Sequence, residues 1–202
     1  MATIEKFRLA DTDSNRTRKF NLIREAIQGD GAVGAAASIS VAVAESSAGA
    51  IKTVMTLSNV AVTMTDATTA GSHGSLKLYD FPQCNLLFLG GTCDLTLTAG
   101  AGGITDTAAV VASVGTVTVG TDNATLTTTE ADLIPSTAST LTAGAGVTKG
   151  KTLTAGVVVF DGTTTAKDAW LNYAVPDAGS TANDTLTVSG TITLVWSNLG
   201  DV

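Results

Sequence analysis

Charge is the first thing this sequence is short of. Asp, Glu, Lys and Arg make up 14% of its 202 residues, against about a quarter in ordinary globular domains. Aromatic residues are scarcer still, at 4%, so a core has to be assembled from Val, Leu, Ile and Ala with few large anchors. Such a core gives a marginal monomer, for which oligomerisation is one natural remedy. The single histidine, His73, excludes paired-His metal sites. Two cysteines, Cys84 and Cys93, lie nine positions apart. A disulfide between them requires the intervening segment to turn back on itself. Nothing else indicates an oxidising compartment, so two buried thiols are the expected state. The opening stretch MATIEKFRLADTDSNRTRKF has no apolar h-region, so no secretory signal is expected. No apolar run reaches about 18 residues, so no membrane span is expected.

What charge there is, is unevenly placed. The net charge is −7. Residues 1–30 hold six basic and five acidic residues, while residues 31–202 hold five basic and thirteen acidic ones. An acidic body argues against direct contact with nucleic acid, since neutralising phosphates needs clusters of Lys and Arg. The basic N-terminal part also carries the only convincing helical pattern. Phe20, Leu22, Ile23, Ala26 and Ile27 cluster on one face, with Ser14 or Asn15 as cap and Gly29 as stop. The spacing predicts an extended arm and a short amphipathic helix over residues 1–30, then a flexible connector, GDGAVGAAA. A separate domain follows over residues 38–202.

In that domain the hydrophobic period falls to two. Val60, Val62 and Met64 alternate with Ala61, Thr63 and Thr65; Leu95 and Leu97 alternate with Asp94, Thr96 and Thr98; Val117 and Val119 alternate with Thr116 and Thr118. At the end of the chain Leu186, Val188, Ile192, Leu194 and Trp196 share one parity, while Thr185, Thr187, Ser189, Thr191 and Thr193 share the other. This is the pattern of half-buried antiparallel strands with Thr facing out. Gly190 falls inside the last run and marks a bulge or tight turn. Turn signals stand at Gly71–Gly74, Gly90–Gly91, Gly100–Gly103, Gly144–Gly150, Asp161–Gly162 and Pro176–Gly179. Eight to ten short strands so spaced predict an all-β fold, an antiparallel β-sandwich or jelly roll. One helical turn is expected at residues 130–134.

The strings that hint at chemistry lack the context they require. AGVTKGKT, residues 145–152, satisfies a loose Walker A pattern, but β-branched residues follow Thr152 where a helix must cradle the phosphates. Asp11, Asp13 and Asn15 open like a calcium loop, yet Arg16 stands where Gly is required and Leu22 where the bidentate Glu belongs. GSHGS places His73 on a Gly-rich turn with no nearby carboxylate. Cys93 lacks a context that lowers a thiol pKa. Asp161, Asp168 and Asp177 read as turn residues that hydrogen-bond locally, with calcium between loops as the sharper alternative. Trp170 and Tyr173 read as packing residues, with a sugar- or partner-binding surface as the sharper alternative. The expectation is therefore no enzyme, no catalytic residues, no metal site and no cofactor.

TVMTLSNVAVTMTDATTAGSHGSLKLYDFP (53–82), TVGTDNATLTTTEADLIPSTASTLTAG (118–144) and GTITLVWSNLGD (190–201) resemble small structural proteins encoded among the virion genes of tailed phages. The resemblance implies a β-sandwich or jelly roll bound to the outside of a capsid as a decoration or cement protein. Its partners would be the major capsid protein and further copies of itself, as a homotrimer or other homo-oligomer. Its location would be the outer capsid surface, after assembly in the host cytoplasm. A tail-tube or collar subunit, and a carbohydrate-binding or adhesin sandwich, are the alternative readings. The class offers no site motif, so the resemblance assigns no residue a role.

Overall fold

The computed structural model describes residues 39–45, 49–67, 71–100, 102–105, 108–120, 125–141, 146–151 and 158–200. The arm and helix expected over residues 1–30 lie outside the described residues. Ten strands follow in order: β1 (Ile39–Glu45), β2 (Ile51–Asp66), β3 (Ser72–Asp80), β4 (Asn85–Ala99), β5 (Ala109–Gly115), β6 (Ile134–Thr140), β7 (Gly146–Lys151), β8 (Val158–Asp161), β9 (Asp168–Val175) and β10 (Asp184–Asn198).

Pairing follows a nested scheme. β2 pairs with β10, β3 with β9, β4 with β7 and β5 with β6, all antiparallel. A long ribbon doubled back on itself and then rolled gives this result, so the fold is a jelly roll of two sheets. The first sheet runs β1-β2-β10-β4, with β7 and β8 sharing the far edge of β4; the second runs β3-β9-β5-β6. The last residues of β2 pair with the start of β3 and join the sheets at one end of the strand order. At the other end β6 comes against β7. The core between the sheets is aliphatic, as the composition requires. Its anchor is an aromatic trio: Trp196 stands 5.2 Å from Phe81 at 82°, and Phe81 stands 5.2 Å from Tyr79 at 75°. Both are edge-on arrangements that the ring quadrupoles favour. The Trp196 indole N–H donates to Thr53 Oγ1 at 3.0 Å, so its polar atom is satisfied where it is buried.

The strands are longer than the turn signals predict, because the Gly90–Gly91 signal is a bulge rather than a turn, and Gly190 marks a bulge, one of the two outcomes expected there. Between Val188 and Gly190 the partner strand advances from Val60 to Leu57, so the extra residue sits on β2. There the buried parity changes from Ile51, Met55 and Leu57 to Val60, Val62 and Met64. Asn59 takes φ 52° at the bulge, a conformation Asn tolerates better than most residues. Its N–H donates to Ser189 Oγ at 2.9 Å. Opposite lies Gly190 at φ 135°, where a Cβ would come within 2.1 Å of the Asp94 carbonyl oxygen. The second bulge puts Gly90, at φ 150°, inside β4 rather than at a turn. Gly71–Gly74 is likewise no extended turn: Gly74 lies in β3, where a Cβ would come within 2.4 Å of the Thr63 carbonyl oxygen. The turn signal at Gly144–Gly150 also gives way, since Gly146–Lys151 is strand β7. One helical turn forms at Thr128–Glu130, ahead of the expected residues 130–134.

Candidate interaction surface

Each sheet has an outer face, and the two differ. On the second sheet the outward residues align in rows across β3, β9 and β5: His73, Ala174 and Val111; Ser75, Asn172 and Ser113; Lys77, Trp170 and Gly115. Residues 116–120 and 125–133 lie back over the middle of this face. The period-two run Thr116–Val119, expected as strand, is therefore loop. Asp132 accepts the Thr116 N–H at 2.8 Å and the Thr116 hydroxyl at 2.7 Å, which turns the chain out of β5. Val119 and Leu126 then pack on Ala174 and Val111.

Asn172, fully buried, pins that loop. Its Nδ2 donates to the Val117 and Glu130 carbonyl oxygens, both at 2.9 Å. Its Oδ1 accepts the Ser75 hydroxyl at 2.7 Å and the Val119 N–H at 3.1 Å. An amide side chain has two donor hydrogens and two acceptor lone pairs, and all four are engaged. Glu130 closes the loop from the other side, accepting the Gly120 N–H at 2.9 Å and the Thr127 N–H at 3.2 Å.

At one end of the same face Lys77 bridges two carboxylates, Asp80 at 2.5 Å and Asp168 at 3.1 Å. Asp80 and Asp168 are direct cross-strand partners, a like-charge pairing that destabilises a sheet unless something neutralises it. Burial would lower the Lys77 pKa, but hydrogen bonds and charge from both carboxylates outweigh it and raise it. Burial, then a hydrogen bond with Asp80, raises the Asp168 pKa against the opposing pull of Lys77. The same ammonium lies 5.8 Å from the centre of the Trp170 ring. This cluster ties the ends of β3 and β9 together.

The residues singled out in the sequence are dispersed. His73 is in β3, paired with Thr65 and Ala174, and not on a turn. Ser72 and His73 are adjacent in a strand and so face opposite sides; Ser72 bonds the Ser180 hydroxyl, which donates to Asp66 at 2.9 Å. Trp170 faces outward and Tyr173 inward; Tyr173 is fully buried, and burial first, then the nearby Cys93, pushes its pKa well up. The two rings therefore form no joint surface. Asp161 accepts the Thr163 N–H at 3.0 Å and the Thr163 hydroxyl at 2.8 Å, which lowers its pKa. It belongs to the first sheet and Asp168 to the second; the Asp177 side chain lies outside the described residues. Among the described residues no three His, Cys, Asp or Glu side chains gather in a metal-binding group. Cys84 precedes β4 and Cys93 lies within it, both buried as thiols, with no hairpin between them. The Walker-like string runs through β7, a strand paired to β4, and not through a strand-to-helix loop.

Among the described residues nothing folds over the first sheet. Its outward side chains are Lys52, Val54, Thr56, Ser58, Ala61 and Thr63 on β2; Thr185, Thr187, Ser189, Thr191, Thr193 and Val195 on β10; and Leu87, Leu89, Thr92, Asp94, Thr96 and Thr98 on β4. Hydroxyl-bearing residues meet directly across strands, as in Thr63 with Thr185, Thr56 with Thr191, Thr187 with Thr98 and Thr193 with Thr92.

No protein-family model matches the chain, and no curated protein matches it. Among solved structures, it is similar to a chain in the structure of infectious bursal disease virus Gx strain, at 15% identity and a TM-score of 0.32. The match covers 75% of this chain and 34% of that one, so this chain spans about a third of its length. The jelly roll stands on its own strand pairing.

Proposed function

We propose that this chain is a non-enzymatic virion structural protein, a decoration or cement subunit that binds the outside of a tailed-phage head and stabilises it. The observation that carries the reading is the jelly roll itself, with one face roofed by its own loop and the other, among the described residues, an uncovered face that is Thr-rich along β2, β10 and β4. Fold alone does not select a function. The phage-like phrases narrow it, since TEADLIPST (129–137) and GTITLVWSNLGD (190–201) fall in this same roll. The polar clusters support the reading as well. Asn172, Asp132, Glu130 and Lys77 each hold a strand or loop in place.

In this reading the basic N-terminal segment clamps a neighbouring capsid subunit, and the acidic roll faces solvent away from the packaged genome. The test is co-sedimentation of the purified chain with shells of the major capsid protein encoded in the same genome. The full chain should pellet with shells and raise their disruption temperature. The chain lacking residues 1–30 should stay in the supernatant. If the full chain does not bind shells, the proposal fails; if the truncated chain decorates normally, the arm has no part in it.

A further inference from the structure

The first sheet is widest across the middle of β10. β1, β2, β10, β4 and β7 run side by side across the rows of β10 from Gly190 to Leu194. In the middle of that span Thr193 sits between Val54 of β2 and Thr92 of β4. Lys52 lies one strand to one side of it, opposite Val195. Asp94 lies one strand to the other side, opposite Thr191. Both are exposed, and the other outward residues on this face of β2, β10 and β4 are neutral. With strands about 4.8 Å apart and residues about 3.4 Å apart, each charge stands about 8 Å from Thr193, on opposite sides of it.

Two opposite charges placed evenly about one point make a self-complementary face. Consider a second copy laid against it about a two-fold axis over Thr193, at right angles to the Lys52–Asp94 line. Each Lys52 then meets the partner's Asp94, and Thr193 meets its own counterpart. We infer that the chain pairs with a second copy of itself through this face. The inference rests on the reading of the chain as a self-assembling virion subunit, and it names the surface that assembly uses.

The contact is isologous, the commonest symmetry of soluble oligomers. The strands of the two copies cross steeply, in the orthogonal class of sheet packing. A sheet five strands wide measures about 24 Å, so crossed copies overlap over about 600 Å² each, or about 1,200 Å² in total, the low end of specific interfaces. Thr and Ser side chains are short and lose little conformational freedom when covered. The two charge pairs fix register and exclude other alignments. The result is a reversible pair whose population follows concentration.

Sedimentation equilibrium and native mass spectrometry over a concentration series test this, with Lys52→Glu, Asp94→Lys and the double exchange. Both positions are exposed, and unchanged melting temperatures confirm that each variant folds. The wild-type chain should form a two-fold pair. Each single reversal should weaken pairing by about tenfold or more by setting like charges opposite one another, and the double exchange should restore it. Single variants that pair normally, or a double exchange as weak as the singles, overturn the inference. A chain that stays monomeric yet decorates shells overturns it and leaves the proposed function standing. A chain that pairs as described but binds no shell does the reverse.

Discussion

Replacing Asn172 by Ala removes four hydrogen bonds at once, but the structure says that they are not equal. The Glu130 carbonyl keeps the Ser113 hydroxyl at 2.7 Å. The Val119 N–H keeps Ser75 Oγ at 2.9 Å. The Val117 carbonyl loses its Nδ2 donor, and the Ser75 hydroxyl loses its acceptor. At about 1 kcal/mol net for each bond with a surviving alternative, and somewhat more for the two stranded groups, the cost is about 3–4 kcal/mol. That is a large share of the roughly 5–15 kcal/mol that holds a domain together. For a chain of this length it lowers the melting temperature by about 6–16 °C. Asn172→Asp is the sharper probe, because it keeps the shape and replaces the donor with a third oxygen aimed at two carbonyls. It should cost at least as much as Ala despite leaving no cavity. Urea unfolding measures both variants, and amide hydrogen exchange at Val119 and Gly120 shows whether the roof over the second sheet has lifted. If Asn172→Ala costs under about 1 kcal/mol, or Asn172→Asp is milder than Asn172→Ala, the account of this residue as the pin of the loop is wrong.

Three other positions are equally open to test. Burial would raise the Asp184 pKa, but N–H donors from Ile104, Thr185, Gly103 and Gly102 outweigh it and lower it. Its folded pKa then lies below the unfolded one, so its stabilisation is present above the unfolded pKa and is lost as pH falls through the folded one. Melting curves between pH 7 and pH 3 should show Asp184→Asn less stable at neutral pH and less sensitive to acid than wild type; parallel curves would refute this. Gly190→Ala combines a positive φ with a Cβ 2.1 Å from a carbonyl oxygen and should cost about 3 kcal/mol or more. Gly102→Ala, with nothing within 4 Å, should be close to neutral in the same denaturation assay.

The all-β class could be read from the second half of β2, the second half of β4 and all of β10, because alternation there is unbroken. The first halves of β2 and β4 hid behind their bulges. One extra residue moves every following side chain to the other face, so a reader counting by twos loses the strand at Ser58 and again at Gly90. Thr116–Val119 misled in the opposite sense: its alternation is real, but Val117 is exposed and Val119 packs on the outside of a sheet. Strand order was out of reach, since alternation says that a segment pairs and not with what. The sequence drew attention to Trp170 and Tyr173, while the organising residue stood between them. An Asn at an outward position in the otherwise apolar run AWLNYAV was the available signal. The Lys52 and Asp94 pattern was invisible because the two residues are 42 positions apart and are set on opposite sides of one point only through β10.

The loop that covers one sheet makes this a sided object. Its roofed face presents the folded-back chain and the Lys77 cluster, while its other face offers a repeating lattice of hydroxyls. A brick with two different sides can be laid in a course only one way up. Orientation in any larger array is thus encoded by a single loop, and loosening Asn172 would cost that sense of direction before it cost the fold.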